Sequence, residues 1–442
     1  MKTYDLLMFQ KNFYEIETIV DHSITDSCRN IIGRGYYDPS GNFDANAMEK
    51  AYFELLRRND AFRIRLVKEE ENVRQYVQDL SEFPRPERKN LSDGRESFKA
   101  LCQSPERPRI TLFDPQLTKA VIYTCNDQTG GIIIWQHHIC SDGYSMGKIA
   151  CQQLSDFYSV FREGKIPEEP KKIFSFVDHL EKDLERKKGR FEEDYEWYLK
   201  EYNRRLLFYN MPHHYVPEVE ENRVIQTEIC GERYEALQRI IDRTGRSDSA
   251  VFLTAIALMV SGLGKTFRFH MNVETHGRAT FAQKNTAGPL LDEPVLFFDI
   301  VPWHTLDRMI DDVYCHFMES VVHSQFTALF SEEHFLPKLR RCGLGDVDFE
   351  WMEFNNLRGY SSNGSSCLEQ FMIAQKQTDN GYDLELEDLP EGNGVVLSFH
   401  YDRQLITEER AKEIQTIFLR LFDFMDRCPK ATVWQCLKLI RK

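Results

Sequence analysis

The chain has no Cys-x-x-Cys pair, although it holds 11 cysteines, scattered singly from Cys28 to Cys436. An odd number without paired spacing, in a chain of 442 residues, argues against disulfides standing in for a core. The thiols read as reduced, mostly small core residues of a cytosolic protein. Long apolar runs are missing too. The longest, Ala250–Val260, is interrupted by Thr254 and is too short to span a bilayer. Asp5 stands in MKTYDLLMFQKNFYEIE where a signal peptide needs an apolar core. A soluble cytoplasmic protein is expected, monomeric and without a membrane partner. Positive charge is scarce: 56 Lys+Arg face 70 Asp+Glu, a net charge of −14. That balance argues against nucleic acid as a main partner, because phosphate binding depends on clustered positive charge. An anionic partner is left with local patches at Arg85–Lys89 and Arg186–Arg190.

What is present fits a globular chain with a large core. Hydrophobic residues make up 42%, charged residues 29% and aromatics 12%, which rules out disorder, collagen-like repeats and an extended coiled coil. At roughly 100–200 residues per domain, the length suggests two or three domains or a large two-lobed one. The spacing predicts a helix over Asn46–Arg58 with Asp44 as N-cap, followed directly by a strand through Phe62, Ile64 and Leu66. Lys119–Cys125 and Gly131–His138 predict a hairpin around Asn126–Gly130. Met146–Phe161 is an amphipathic helix, and Gly164–Pro170 is a linker. Charged Phe174–Tyr202 is expected to form surface helices bridging two lobes. Helices over Tyr234–Thr244, Ser249–Gly262, Asp307–Phe326 and Thr407–Arg427 alternate with strands over Thr266–Val273 and Val395–Asp402. The class is α/β with two lobes.

One segment carries chemistry. HHICSDG (His137–Gly143) ends an apolar run and opens the Met146–Phe161 helix. Strand alternation aligns His138 with Ile132, Ile134 and Gln136, and His137 with Trp135, so only one imidazole points into a given cavity. Asp142 in the turn either accepts hydrogen bonds from its own backbone or pairs with a distant arginine. Gly143 leaves the helix entrance bare, so that a narrow substrate arm can approach. The bland alternative is a buried histidine pair beside an ordinary Asp-Gly turn. Cys140, two residues from His138, lacks a third ligand at zinc spacing, so no metal is expected.

HHICSDG resembles the HHxxxDG signature of the condensation domains of nonribosomal peptide synthetases, relatives of chloramphenicol acetyltransferase. In the wider superfamily the signature shrinks to HxxxD, so His137 and Gly143 favour the condensation branch. The resemblance runs from about residue 43 to 430. Leu55–Leu66 is similar to an early family motif, with Asn59 and Asp60 in place of His-Glu. Leu154–Lys165, Phe191–Tyr198, His276–Arg278, Gly288–Phe297, Tyr382–Leu386 and Leu397–Thr407 resemble further family segments. Asp292 replaces the usual Asn, and Pro294 comes one residue early. The family's N-terminal SxAQxR has no counterpart in MKTYDLLMFQKN.

The resemblance implies two acetyltransferase-like lobes, residues 1–170 and 171–442, in a V-shaped pseudo-dimer with a tunnel between them. A donor acyl thioester would enter on a carrier protein's phosphopantetheine, an amine acceptor from the other side, and His138 would stand where they meet. No cofactor would be bound permanently. Asp142 would pair with Arg278, tying the first lobe's turn to the second lobe, with His137 and Gly143 in support. Aminolysis of a thioester needs a neutral amine that sheds a proton. A neutral imidazole can take that proton or hold the amine, worth typically ~10²–10⁴-fold. An adenylation signature and a GGxS carrier site are lacking, so the thioester is expected in trans and the enzyme free-standing. NVETHGR (Asn272–Arg278) also resembles the EGHGR of epimerisation domains, where Glu274 would be a second acid/base. YSMG (Tyr144–Gly147) departs from the epimerase pattern after Asp-Gly. An acyltransferase using acyl-CoA or an alcohol, and a silent recruiting module, complete the alternatives. His323 and His400 are expected to be structural.

Overall fold

Every residue of β6 (Gly130–His137) is buried, because GGIIIWQH leaves no solvent face, and such a strand belongs inside a sheet. The computed structural model describes residues 2–19, 31–70, 72–103, 108–204, 222–324, 352–358, 366–373, 382–389, 392–402 and 406–440. In it β6 pairs antiparallel with β1 (Ile31–Asp38) on one side and with β5 (Thr118–Cys125) on the other. β4 (Glu87–Leu91) and β11 (Glu369–Met372) complete a five-stranded sheet in the order β11-β1-β6-β5-β4. β2 (Ile64–Glu69) and β3 (Asn72–Val77) form a separate two-stranded hairpin.

The helices of this unit are α1 (Met8–Ile19), α2 (Ala45–Arg58), α3 (Arg95–Cys102), α4 (Cys151–Arg162) and α5 (Phe176–Lys187). As expected, Asp44 caps α2, accepting from the Asn46 and Ala47 amides, while Ala47, Met48, Ala51, Tyr52, Leu55 and Leu56 face the core. Two local readings change. A 3₁₀ turn, Asp60–Arg63, separates α2 from β2, so the strand is not entered directly. The helix expected from Met146 begins as a π-helical turn, Ser145–Ala150, before α4. The buried Tyr36 hydroxyl donates to the Met146 carbonyl of that turn at 2.6 Å.

A further sheet, of six strands, has the order β7-β13-β12-β10-β8-β9. Its strands are β7 (Asn222–Cys230), β8 (Arg268–Glu274), β9 (Val295–Asp299), β10 (Met352–Asn356), β12 (Tyr382–Asp388) and β13 (Gly394–Asp402). Phe269, Met271 and Val273 of β8 share a buried face, as the alternation predicts. They pack in one core with α7 (Glu232–Thr244), α8 (Asp248–Gly264), α10 (Leu306–Val322), α11 (Glu408–Arg427) and α12 (Val433–Leu437). α8 is apolar all round and buried from Ala250 to Gly262, the pattern of a core helix. Among the described residues no single helix is long and apolar enough to cross a membrane.

Contacts divide the chain into Met1–Lys188, His276–Leu291 and Gly359–Lys376 in one unit, and Gly189–Thr275, Asp292–Arg358 and Gln377–Lys442 in the other. This division does not coincide with the expected boundary after residue 170. The first unit keeps α5, whose Phe176, Val177 and Leu180 are buried. The helix is held by Asp60, which accepts from Ser175 Oγ at 2.5 Å and from the Phe176 and Val177 amides at 2.8 and 3.1 Å. A carboxylate on free amides at a helix start explains the attachment. α6 (Phe191–Arg204) belongs to the second unit and buries Asp194 and Tyr198. Neither is a purely surface helix.

Candidate functional site

Asp142 is 1% exposed, and a buried carboxylate needs partners for all its lone pairs. Arg278, also 1% exposed, supplies a bidentate pair: Nη1 to Oδ2 at 2.7 Å and Nη2 to Oδ1 at 3.0 Å. The Ser145 amide and hydroxyl donate to Oδ1 at 2.8 and 2.7 Å, and the Leu290 amide to Oδ2 at 3.0 Å. The other two Nη protons go to the carbonyls of His276 at 2.8 Å and Gly288 at 2.9 Å, while the buried Nε has no partner among the described residues. The Tyr144 ring lies 4.5 Å from the guanidinium carbon. The expected pair is therefore present, but both partners lie in the first unit. Arg278 arrives with the segment His276–Leu291, which contains α9 (Phe281–Lys284). Of the two roles open to Asp142, pairing with a distant arginine dominates.

Two glycines make that segment possible. Gly277 has φ +59°, and a Cβ there would stand 1.7 Å from the Leu290 carbonyl oxygen. At Gly288, φ +142°, it would meet the Phe176 ring at 2.4 Å. Gly164 has a similar φ of +69° and nothing within 4 Å. Gly277→Ala should therefore lose stability by roughly 3 kcal/mol or more, whereas Gly164→Ala shows only the left-handed backbone strain of about 1 kcal/mol. Thermal unfolding of the two variants checks this, and equal melting temperatures would refute the close-approach argument.

The histidines depart from simple alternation. β6 stops at His137, and His138–Cys140 forms a 3₁₀ turn. The direction of His138 is thus set by the turn and not by alignment with Ile132, Ile134 and Gln136. His137 is fully buried; its Nδ1 accepts from the Ile139 amide at 3.1 Å, and its Nε2 lies 2.9 Å from Glu17 Oε1. His138 is only partly covered. Its ring stacks on Phe13 at 4.8 Å and meets the edge of Phe9 at 5.6 Å, and its buried Nδ1 has no hydrogen-bond partner among the described residues. Burial lowers its pKa, opposed in part by the surrounding backbone and the Asp142 charge. A neutral imidazole at pH 7 follows.

Cys140 donates to the His137 carbonyl at 3.0 Å, and burial pushes its thiol up to about 12. It is a buried thiol, not an activated nucleophile. Gly143 is the first helical residue after the turn. Glu274 is the last residue of β8, in register with Asn355 of β10, and belongs to the second unit. His276 Nδ1 accepts from the Arg278 amide at 3.0 Å, and burial with the Arg278 charge lowers its pKa. His323 pairs with buried Asp194 at 2.7 Å and stacks on Trp197, and His400 pairs with Glu385 at 3.1 Å.

Sequence reasoning missed α1. No helix was expected in the N-terminal segment, yet its Phe9, Gln10, Phe13 and Glu17 reach three consecutive residues of the motif. Gln10 donates to the Ile139 carbonyl at 2.9 Å and exchanges a side-chain amide bond with Gln75 at 2.8 Å. The signal was there in the i, i+4 spacing of Phe9 and Phe13.

A model of the Condensation domain family matches residues 34–435. The chain belongs to the condensation-domain family. Condensation domains of that family are acyltransferases that form amide bonds and work with carrier-bound substrates. Surfactin synthase subunit 1 of Bacillus subtilis (strain 168) is 28% identical over 206 residues, which is 45% of this chain and 6% of that protein. The chain thus matches a small part of a much longer relative. Among solved structures, the first condensation domain of the calcium-dependent antibiotic synthetase, in complex with a substrate analogue, superposes with TM-score 0.74 at 18% identity, covering 98% of both chains. The starter condensation domain of rhizomide synthetase RzmA, in complex with C8-CoA, gives 0.76 at 15% identity, covering 98% of this chain and 97% of that one. These likenesses show a condensation-domain fold, of α/β class.

Proposed function

We propose that this condensation domain joins an acyl or aminoacyl group, delivered as a carrier-bound thioester, to an amine acceptor. The observation that carries the reading is His138: an imidazole kept neutral, held by two aromatic rings, on a turn anchored by the Asp142–Arg278 pair. The amine nitrogen attacks the thioester carbon, its proton passes to His138, the C–S bond breaks, and the proton leaves on the thiol sulfur. Phosphopantetheine supplies that sulfur from the carrier. The remaining work of the chain is to place the amine against a base of matched pKa.

Glu274 raises a second reading, epimerisation, in which it would be a second acid/base group. Glu274→Gln keeps the shape and removes the base. Condensation predicts amide formation within about tenfold of the parent, a loss of placement and not of an acid/base partner. The companion assay incubates an aminoacyl carrier protein with the enzyme in deuterated water. Deuterium at the α-carbon, lost in Glu274→Gln, would replace condensation by epimerisation.

A further inference from the structure

We infer that Glu17 is a positioning residue for the reactive turn, acting on His138 through His137. The inference rests on the functional reading above. A backbone amide can only donate, so the Ile139 amide, 3.1 Å from His137 Nδ1, requires a lone pair on that nitrogen. The ring proton therefore sits on Nε2, where the Glu17 carboxylate accepts it at 2.9 Å. An imidazolium would set an Nδ1 proton against the amide proton. Between Glu17 and Ile139 the buried ring has one tautomer and one orientation; a half-turn of the ring would break both bonds.

His138 lies between the two residues that this ring ties together. Its neighbours' polar groups are otherwise committed: the Ile139 carbonyl to Gln10 at 2.9 Å, the His137 carbonyl to the Cys140 thiol at 3.0 Å, and the His138 carbonyl to the Ser141 amide at 3.3 Å. Among the described residues the His138 ring packs on Phe9 and Phe13 of the same helix that carries Glu17. Its placement thus depends on the backbone turn and on where α1 sits. Glu17 acts on both, because its bond to His137 joins α1 to the strand end, beside the bond from Gln10 to the Ile139 carbonyl. A displacement of about 1 Å at a reacting group can cost ~10²-fold.

The test compares Glu17→Leu, which removes the acceptor, with Glu17→Gln, which keeps an oxygen in its place. Protein labelled with ¹⁵N-histidine reports the His137 tautomer and the His138 ring shifts without any substrate, with near-UV circular dichroism as the check on folding. Glu17→Leu is expected to lose the unique His137 tautomer, to move the His138 signals, and to lower kcat for amide formation at least tenfold with KM within about twofold. Glu17→Gln is expected to restore all three, kcat within about threefold. Unmoved His138 signals in Glu17→Leu, or equal losses in both variants, would overturn the inference. If the labelled signals behave as expected but the parent forms no amide from carrier thioesters, the functional reading fails while the positioning role stands. Should Glu17→Leu not fold, Glu17→Gln decides alone: the inference then requires the parent tautomer and parent shifts, and their loss overturns it.

Discussion

His138→Ala is expected to lower turnover of a carrier-bound thioester by roughly 10²–10⁴-fold, the worth of a placed acid/base or amine-holding group, with the fold intact. The second half of that expectation comes from the geometry. Among the described residues His138 Nδ1 has no hydrogen-bond partner, and removing the ring chiefly sacrifices packing against Phe9 and Phe13. His137→Ala should behave differently. The lost ring leaves the Ile139 amide and Glu17 without their bonds in a buried site, so the melting temperature falls and kcat falls at least tenfold, as in Glu17→Leu, but by less than in His138→Ala. The pH profile carries a sign. Burial lowers the His138 pKa from 6.5, so the neutral base persists below the ordinary histidine range and the acid limb of kcat lies under pH 6.5. Full turnover in His138→Ala would remove the catalytic assignment.

Breaking the Asp142–Arg278 pair is expected to have the largest effect on stability. Arg278→Met leaves a buried carboxylate with only neutral donors, and Asp142→Leu leaves a buried guanidinium with only carbonyls and the Ser145 hydroxyl. Each single change should cost about 3–5 kcal/mol, because an unpaired charge stays in the interior. The double variant should recover part of that loss, since no charge is then left behind. Denaturant unfolding of the four proteins gives the coupling directly, and additive losses would show that the contact is not an energetic unit. Activity should fall alongside stability, because Asp142 lies two residues beyond the turn that carries His138.

Some of this was determined by the sequence alone. Period and capping chemistry gave α2 with Asp44, the β5–β6 hairpin, the apolar α8 and the β8 alternation, because each depends on neighbours within a few residues. HHICSDG stood out by its own spacing, whereas Arg278 was named as the partner of Asp142 only through the family resemblance of HGR. What the sequence left undecided are contacts between distant segments. Nothing near Gly277 announces that the Leu290 carbonyl will occupy the space of its missing side chain. Nothing near Asp60 announces that it will hold the start of α5, more than a hundred residues on. The return of His276–Leu291 to the first unit is likewise a matter of packing, as the buried guanidinium must follow its carboxylate. So is the seat of α1: Glu17 and His137 lie 120 positions apart and meet only when the helix lies over the strand end. Even the direction of His138 was tertiary. A strand would have fixed it by alternation, but β6 ends one residue early, and the 3₁₀ turn with its two aromatic neighbours decides where the imidazole points.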